Sequence, residues 1–300
     1  MEKMMGFQQA AAVLPPRLRQ MAMDLPQRVQ GSAEEIRLRS GGGAAVLCAG
    51  EELPLGGGAV TAQDLSQTLE LASRFSVHAV MDQLRRGYLT LAGGHRLGLC
   101  GTAVMREGEI YTFRHLSSIN IRVARQVKGV ARPLLEQLTC DNRLCSTLIF
   151  APPGLGKTTL LRDFIRAVSA GEGTAPMRIG LADERGEVAA LWDGAPQLDV
   201  GPRTDVIEGC PKAEGMLLLL RSMNPQVLAA DEITAPEDIS ALTQAAGCGA
   251  ALLATAHGGG REDLTRRALY RELLSAGVFQ RLLTIVQKGA QRHYQVEVLK

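Results

Sequence analysis

The chain has 300 residues, 46% apolar and 21% charged, and its 33 Lys/Arg nearly cancel 31 Asp/Glu to leave a net charge of +2. That composition excludes a disordered chain and gives no bulk electrostatic reason to bind nucleic acid. Six cysteines without a C-x-x-C pair exclude a disulfide or zinc scaffold, and no run reaches the ~18–20 apolar residues of a membrane helix.

The first stretch, MEKMMGFQQAAAVL, carries one Lys and runs into Pro15-Pro16, so it reads as the first helix of a folded domain and not as a signal peptide. Residues 36–39 and 45–47 read as strands joined by the Gly41-Gly42-Gly43 turn. Residues 62–74 repeat apolar positions at helical spacing. Residues 88–91, a Gly93-Gly94 turn and 96–104 read as a β-hairpin, and INIRVAR (119–125) alternates as a half-buried strand does. Residues 126–145 are a connection in which Pro133 starts a helix through Leu138. The domain boundary is expected near 140, giving a 1–140 α/β domain and a 141–300 domain. In the second domain strand and helix alternate: 147–150, 158–169, 178–182, 212–223, 226–230, 236–246, 250–255, 262–275 and 281–287, with HYQVEVLK as a closing strand. This pattern predicts a mainly parallel sheet with helices on both faces.

Residues 148–159, LIFAPPGLGKTT, are a buried-strand run breaking into a Pro/Gly loop that ends in Lys-Thr-Thr. They are one residue short of the phosphate-loop pattern G-x-x-x-x-G-K-[ST], because Ala151 stands where the first glycine belongs. Ala151, Pro152, Pro153, Gly154, Leu155, Gly156, Lys157, Thr158 and Thr159 are the candidate nucleotide-binding residues. In such a loop backbone N–H groups and the helix N-terminus cradle phosphate, Lys157 faces the β/γ-phosphates and Thr158 ligates Mg²⁺. Further on, VLAADE (227–232) ends an apolar strand in two carboxylates, and ligands of parallel sheets lie beyond that end. Asp231 suits Mg²⁺ and Glu232 suits a general base acting on water.

Auxiliary residues follow the same logic. ADER (182–185) ends another strand. If that strand lies beside the phosphate-loop strand, Asp183 would join the metal region and Glu184 would be a second candidate base, with Arg185 restraining them or reaching across an interface. Thr255 and His257 end the strand after the acid pair, where a polar group can sense the γ-phosphate. Arg203 and Arg221 are either phosphate-binding arginines, in their own subunit or a neighbour's, or surface ion pairs. Residues 74–132 hold ten Lys/Arg against three Asp/Glu. Such a local excess fits a face for nucleic acid, anionic lipid or a neighbouring subunit's nucleotide, and fits equally well scattered solvated charges.

With these blocks in order, EIRLR (35–39), GGHRLGLCGTAV (93–104), SSINIRVAR (117–125), APPGLGKTTLLRD (151–163), ADERGE (182–187), PRTDVIEGCPKAEGM (202–216) and LAADEI through TAHG (228–258), the chain resembles a sporulation branch of the type II/IV secretion-ATPase superfamily. The resemblance implies a RecA-like P-loop ATPase core after an N-terminal α/β domain, with Mg²⁺-dependent ATP hydrolysis. It matches Asp183-Glu184 to an acidic box and His257 to a histidine box. It also implies a homo-oligomeric, hexameric ring whose neighbours complete each site. From the residues themselves, Arg122 and Arg125, three apart near the end of the N-terminal domain, are candidates to contribute from that side. The ring would be cytoplasmic, on the mother-cell side, and held peripherally at the membrane by channel proteins of the same sporulation operon. A nucleic-acid-associated P-loop ATPase of similar core is the alternative; it expects an added basic or aromatic module that this sequence does not display. A scaffold without turnover is at odds with the intact Lys157, Thr158, Asp231 and Glu232.

Overall fold

The computed structural model describes residues 2–76, 80–259, 261–289 and 291–299. Residues Met1–Arg125 and Ala190–Gln197 form one compact unit, and Gln126–Ala189 with Leu198–Lys300 form the other.

In the first unit, α1 (Glu2–Ala11), α2 (Pro16–Met23) and α3 (Gln27–Ser32) precede β1 (Ala33–Arg39), β2 (Ala44–Cys48) and β3 (Glu51–Pro54). Then come α4 (Ala62–Ala72), α5 (Met81–Arg85), β4 (Tyr88–Thr90), β5 (Arg96–Arg106) and β6 (Glu109–Arg122). The six strands make an antiparallel sheet in the order β3-β2-β1-β6-β5-β4. Period-two alternation turns Ile36, Leu38, Leu97, Leu99, Ile119 and Ile121 into a core shared with Phe7, Leu14, Leu18 and Leu65 of the helical segments. Thr61 caps α4 by accepting from Asp64 N while the Asp64 side chain accepts from Thr61 N. Strand β6 begins at Glu109, ten residues before the expected INIRVAR strand. Its outer half is largely exposed on both sides, so it carries no apolar alternation. Glu107 and Gly108, both with positive φ, make the two-residue turn at its tip.

The second unit starts earlier than the expected boundary near 140. Helix α6 (Arg132–Leu138) buries Leu134, Leu135 and Leu138, and the Ala131 N–H donates to the buried Asp163 carboxylate at 2.8 Å, which ties this connection to the second unit. After the short β7 (Thr139–Cys140) and β8 (Arg143–Leu144) come β9 (Thr147–Ala151), α7 (Lys157–Ala170) and β10 (Ile179–Asp183). The β11 (Leu191–Trp192)–β12 (Ala195–Pro196) hairpin belongs to the first unit. The remainder is β13 (Thr204–Glu208), α8 (Lys212–Met223), β14 (Val227–Ala230), α9 (Pro236–Gly247), β15 (Ala251–His257), α10 (Arg261–Arg266), α11 (Ala268–Ser275), β16 (Arg281–Lys288) and β17 (Gln291–Val298).

Seven strands order as β13-β10-β14-β15-β9-β16-β17, parallel throughout except for the antiparallel β16–β17 edge. The sheet is covered on both faces. Leu148, Phe150, Leu228, Ala230, Leu252 and Ala254 face a core built with α8, α9 and α11, while alternate residues such as Ile149 and Ala229 are equally buried on the other side. The helix expected over 262–275 is interrupted at Arg267, whose extended backbone starts α11 afresh. Strand β13 lies inside the polar block 202–216; as an edge strand with every residue only half-buried, it gives no buried-strand signal. The expected neighbourhood of β10 and β9 is not found, since β14 and β15 stand between them.

Candidate functional site

All the parallel strands present their carboxyl ends to one edge of the sheet, where the loops after β9, β10, β14 and β15 gather. The loop after β9 has the backbone that phosphate binding needs. Ala151 ends β9 in extended register with His257, so the missing first glycine costs nothing there. Positive φ falls on Gly154 (80°) and Gly156 (88°), and Gly156 caps α7 in the left-handed conformation. Lys157 folds back, its Nζ donating to Ala151 O at 3.0 Å and Pro152 O at 3.2 Å. Burial lowers its pKa, against the opposing pull of Asp231 and Glu232.

The acid pair is wired to this loop directly through Thr158, and Thr255 joins the two acidic residues. Thr158 Oγ1 donates to Asp231 Oδ2 at 2.8 Å, and Thr255 Oγ1 donates to Asp231 Oδ1 at 2.5 Å. Thr255 Oγ1 also accepts from Glu232 N at 2.8 Å. Glu232 has φ of +50°, and its carboxylate stands 3.0 Å from His257 Nδ1 and 3.3 Å from Arg185 Nη1. The imidazole is close enough for an ion pair when protonated, but the angle does not make a hydrogen bond. The Tyr270 hydroxyl donates to His257 O at 2.8 Å, and Gly258 follows because a β-carbon there would come 2.4 Å from the Phe150 ring.

Other expected residues are placed differently. Asp183 is not open to a metal. Its Oδ1 accepts from Glu187 N at 2.9 Å and its Oδ2 from Val188 N at 3.0 Å and Ala189 N at 2.8 Å. Only 2% of it is exposed, and burial raises its pKa. Its job is to fold the turn after β10. Glu184 remains at the cleft, 3.5 Å from Lys212 Nζ. Arg203 and Arg221 are not brought to the site within their own chain. Arg203 precedes β13 beside the amino end of β10 and donates to Ser169 O at 2.9 Å. Arg221 lies in the last turn of α8, donating to Leu217 O of its own helix, where α8 returns to the amino end of the sheet. In the first unit Arg122 pairs with Glu35 at 3.3 Å, and Arg125 donates to the Ser32 and Ala33 carbonyls.

Three cations at this edge were not singled out from the sequence. Arg162, buried in α7, donates from Nε to Val188 O and from Nη2 to Glu187 O, each at 2.6 Å. Lys212 is buried at the start of α8. The Arg292 guanidinium lies against Gly156, where a β-carbon would stand 2.9 Å from its Nη1. An arginine on an otherwise apolar helix face was the one available signal, and it applies to Arg162 alone.

The donor set fits Mg²⁺. Thr158 and Asp231 offer hard oxygens to a cation that takes few protein ligands and fills its shell with phosphate and water. Among the described residues, no group of three or more His, Cys, Asp and Glu is placed to cage a metal by itself.

The profile of the family described as "Sporulation stage III, protein AA" matches residues 6–296. The chain is 38% identical over 276 residues to "Stage III sporulation protein AA" of Bacillus subtilis (strain 168), covering 92% of this chain and 89% of that protein. It is 29% identical over 173 residues to "Uncharacterized protein ycf45" of Porphyra purpurea, covering 56% of this chain and 28% of that one. Among solved structures, the pilus retraction motor PilT with bound ADP superposes with a TM-score of 0.60 at 16% identity, over 89% of this chain and 80% of PilT. The Legionella pneumophila ATPase DotB gives 0.55 at 15% identity, over 88% and 76%. At that identity the likeness is one of fold: a RecA-like core with a mainly parallel sheet, as in the secretion ATPases. Taken with the near-full-length profile match, it makes this chain a member of the sporulation stage III protein AA family, on the fold of the type II/IV secretion ATPases.

Proposed function

We propose that the chain binds ATP with Mg²⁺ at the loop 151–159 and hydrolyses it, and that it works as a subunit of a ring motor energising a sporulation channel. The observation that carries the reading is the chain of contacts Thr158–Asp231–Thr255–Glu232, which joins the phosphate loop to the acid pair across three strands.

The loop N–H groups and Lys157 bind the β/γ-phosphates, with Lys157 leaving the two carbonyls it now holds. Thr158 and Asp231 would hold Mg²⁺, which when bound would neutralise charge on the phosphate oxygens. Glu232 orients the attacking water and takes its proton. His257 and Arg185 flank that carboxylate and fix its direction. Glu184 is the reserve base. Arg203 and Arg221, remote from their own chain's site, are left to serve a neighbour's nucleotide. The ring, its membrane-channel partners and a cytoplasmic location follow the secretion-ATPase resemblance; among the described residues no helix is long and apolar enough to cross a membrane.

The test is nucleotide binding and phosphate release by the purified full chain with Mg²⁺, with Lys157→Ala and Glu232→Gln as controls. Absence of ATP binding in the parent protein would overturn the reading.

A further inference from the structure

Glu232 is held in a backbone conformation that disfavours it. At φ +50° a non-glycine residue sits in the left-handed region, which costs about 1–2 kcal/mol and persists only where the surroundings over-determine it. One restraint is the Glu232 N–H donating to Thr255 Oγ1 at 2.8 Å. The other is on the carbonyl side, where Lys212 Nζ donates to Glu232 O at 2.6 Å.

Lys212 is unusual in its own right. Its side chain is 6% exposed, and its ammonium stands 3.5 Å from Glu184 Oε2 and 3.7 Å from Asp238 Oδ2. Asp238 in turn accepts from Thr234 N at 3.0 Å and Ala235 N at 3.1 Å, capping α9. One buried cation therefore ties together the segment after β10, the end of β14 and the start of α9. Burying a lysine is costly unless it is paired and hydrogen-bonded, and here all its partners lie next to the acid pair.

We propose that Lys212 is the positioning residue of the general base. It holds the Glu232 peptide in the left-handed conformation that aims the carboxylate at the water, while its ammonium also faces the Glu184 carboxylate at 3.5 Å. The inference rests on the reading of Glu232 as the base.

The experiment is a double-mutant cycle in the full-length protein, with Lys212→Met and Lys212→Gln each made in the parent and in the Glu232→Gln background. ATP affinity and turnover are measured separately. Because a misplaced base typically costs about 10²-fold, Lys212→Met should slow turnover by that order while ATP affinity changes little. Lys212→Gln keeps a donor for the carbonyl without the charge and should fall between. In the Glu232→Gln background neither variant should slow turnover further, since a positioning residue has nothing left to position. Multiplying effects in that background, parental turnover in Lys212→Met, or loss of ATP affinity in step with turnover would overturn the assignment. So would loss of the fold in both variants, which would make the lysine purely structural. Failure of the ATPase reading would look different, because the parent protein itself would neither bind nor turn over ATP.

Discussion

The hydroxyl of Thr158 reaches the carboxylate of Asp231 at 2.8 Å across 73 residues of sequence. One stands in the first turn of α7, the other just past the end of β14, and β15 runs between their parent strands. Thr255 on β15 fills that gap by holding the second Asp231 oxygen. The intervening strand thus braces a contact that the phosphate loop and the acid pair make directly.

Replacing Lys157 by Ala should weaken ATP about 10–100-fold, the worth of a charge-assisted contact to phosphate. The fold should persist, because the lysine's present partners are only two loop carbonyls. Burial lowers the lysine's pKa and a bound phosphate raises it again, so ATP binding should draw in a proton at alkaline pH and weaken as pH rises toward the lysine's ordinary value. Calorimetry in buffers of different ionisation enthalpy reads both effects; a pH-independent affinity shared by both proteins would remove the lysine from the site.

Glu232→Gln keeps shape but cannot accept a proton. ATP should bind and persist, with turnover reduced about 10²–10⁴-fold. If single-turnover measurements show parental speed, the base is Glu184.

Asp183→Asn tests the reassignment of that residue. An amide cannot accept from all three N–H groups of the turn, so the variant should lose about 1–3 kcal/mol of stability. Its Mg²⁺ requirement for ATP binding should stay parental. A large rise in the Mg²⁺ needed, with unchanged melting, would return Asp183 to the metal.

ATP with Mg²⁺ should drive the Glu232→Gln protein into a cyclic oligomer, since a ligand that binds the assembled state more tightly than the dispersed chain favours it by mass action. Sedimentation with saturating nucleotide checks this. If Arg221 acts on a neighbour, Arg221→Ala should lower turnover in the assembled protein without changing ATP affinity of the dispersed chain. A monomer at all nucleotide concentrations would end the ring reading.

His95 offers a pH test in the first unit. Burial lowers its pKa from 6.5 to about 4, and its Nδ1 accepts from Ala124 N, a role the protonated ring cannot fill. The unfolded chain takes up the proton first as pH falls below 6.5, so the unit should lose stability between pH 6.5 and 4, by about 3 kcal/mol in full. The chain's single tryptophan, Trp192, belongs to this unit and reports its unfolding. His95→Gln should flatten the acid slope; an equal slope in both proteins would place the lability elsewhere.

Most of the second unit was legible because each buried strand is a short aliphatic run followed by a helical period, as at 147–151 and 157–170. What escaped were elements without that contrast: the edge strand β13 and the exposed outer half of β6. In the candidate site, the structure brings Lys157, Thr158, Asp231 and Glu232 near one another, and a loop and a strand end spell them locally in the sequence. Asp183 instead accepts from backbone N–H groups of a turn that no residue pattern announces. Arg203 and Arg221 lie away from their own chain's site, because nearness in sequence to the acid strand does not say which end of the sheet a residue occupies. Lys212 and Arg292 reach the site only through tertiary packing.

The hairpin 190–197 completes the first unit although it is encoded between β10 and β13 of the second. Its Asp193 pairs with Arg74 at 2.8 Å, the Arg74 guanidinium stacks 3.9 Å over Trp192, and Gln197 Oε1 accepts from Gly93 N at 2.8 Å. On the ribosome, residues 1–125 therefore emerge without their last pieces, and the unit closes only after the phosphate loop, α7 and β10 have been made. Domains that fold one after another along a chain can be separated by a cut between them. Here the cut is asymmetric: a gene fragment ending at 125 lacks the closing hairpin of the first unit, whereas one starting at 126 carries the whole second unit together with that hairpin.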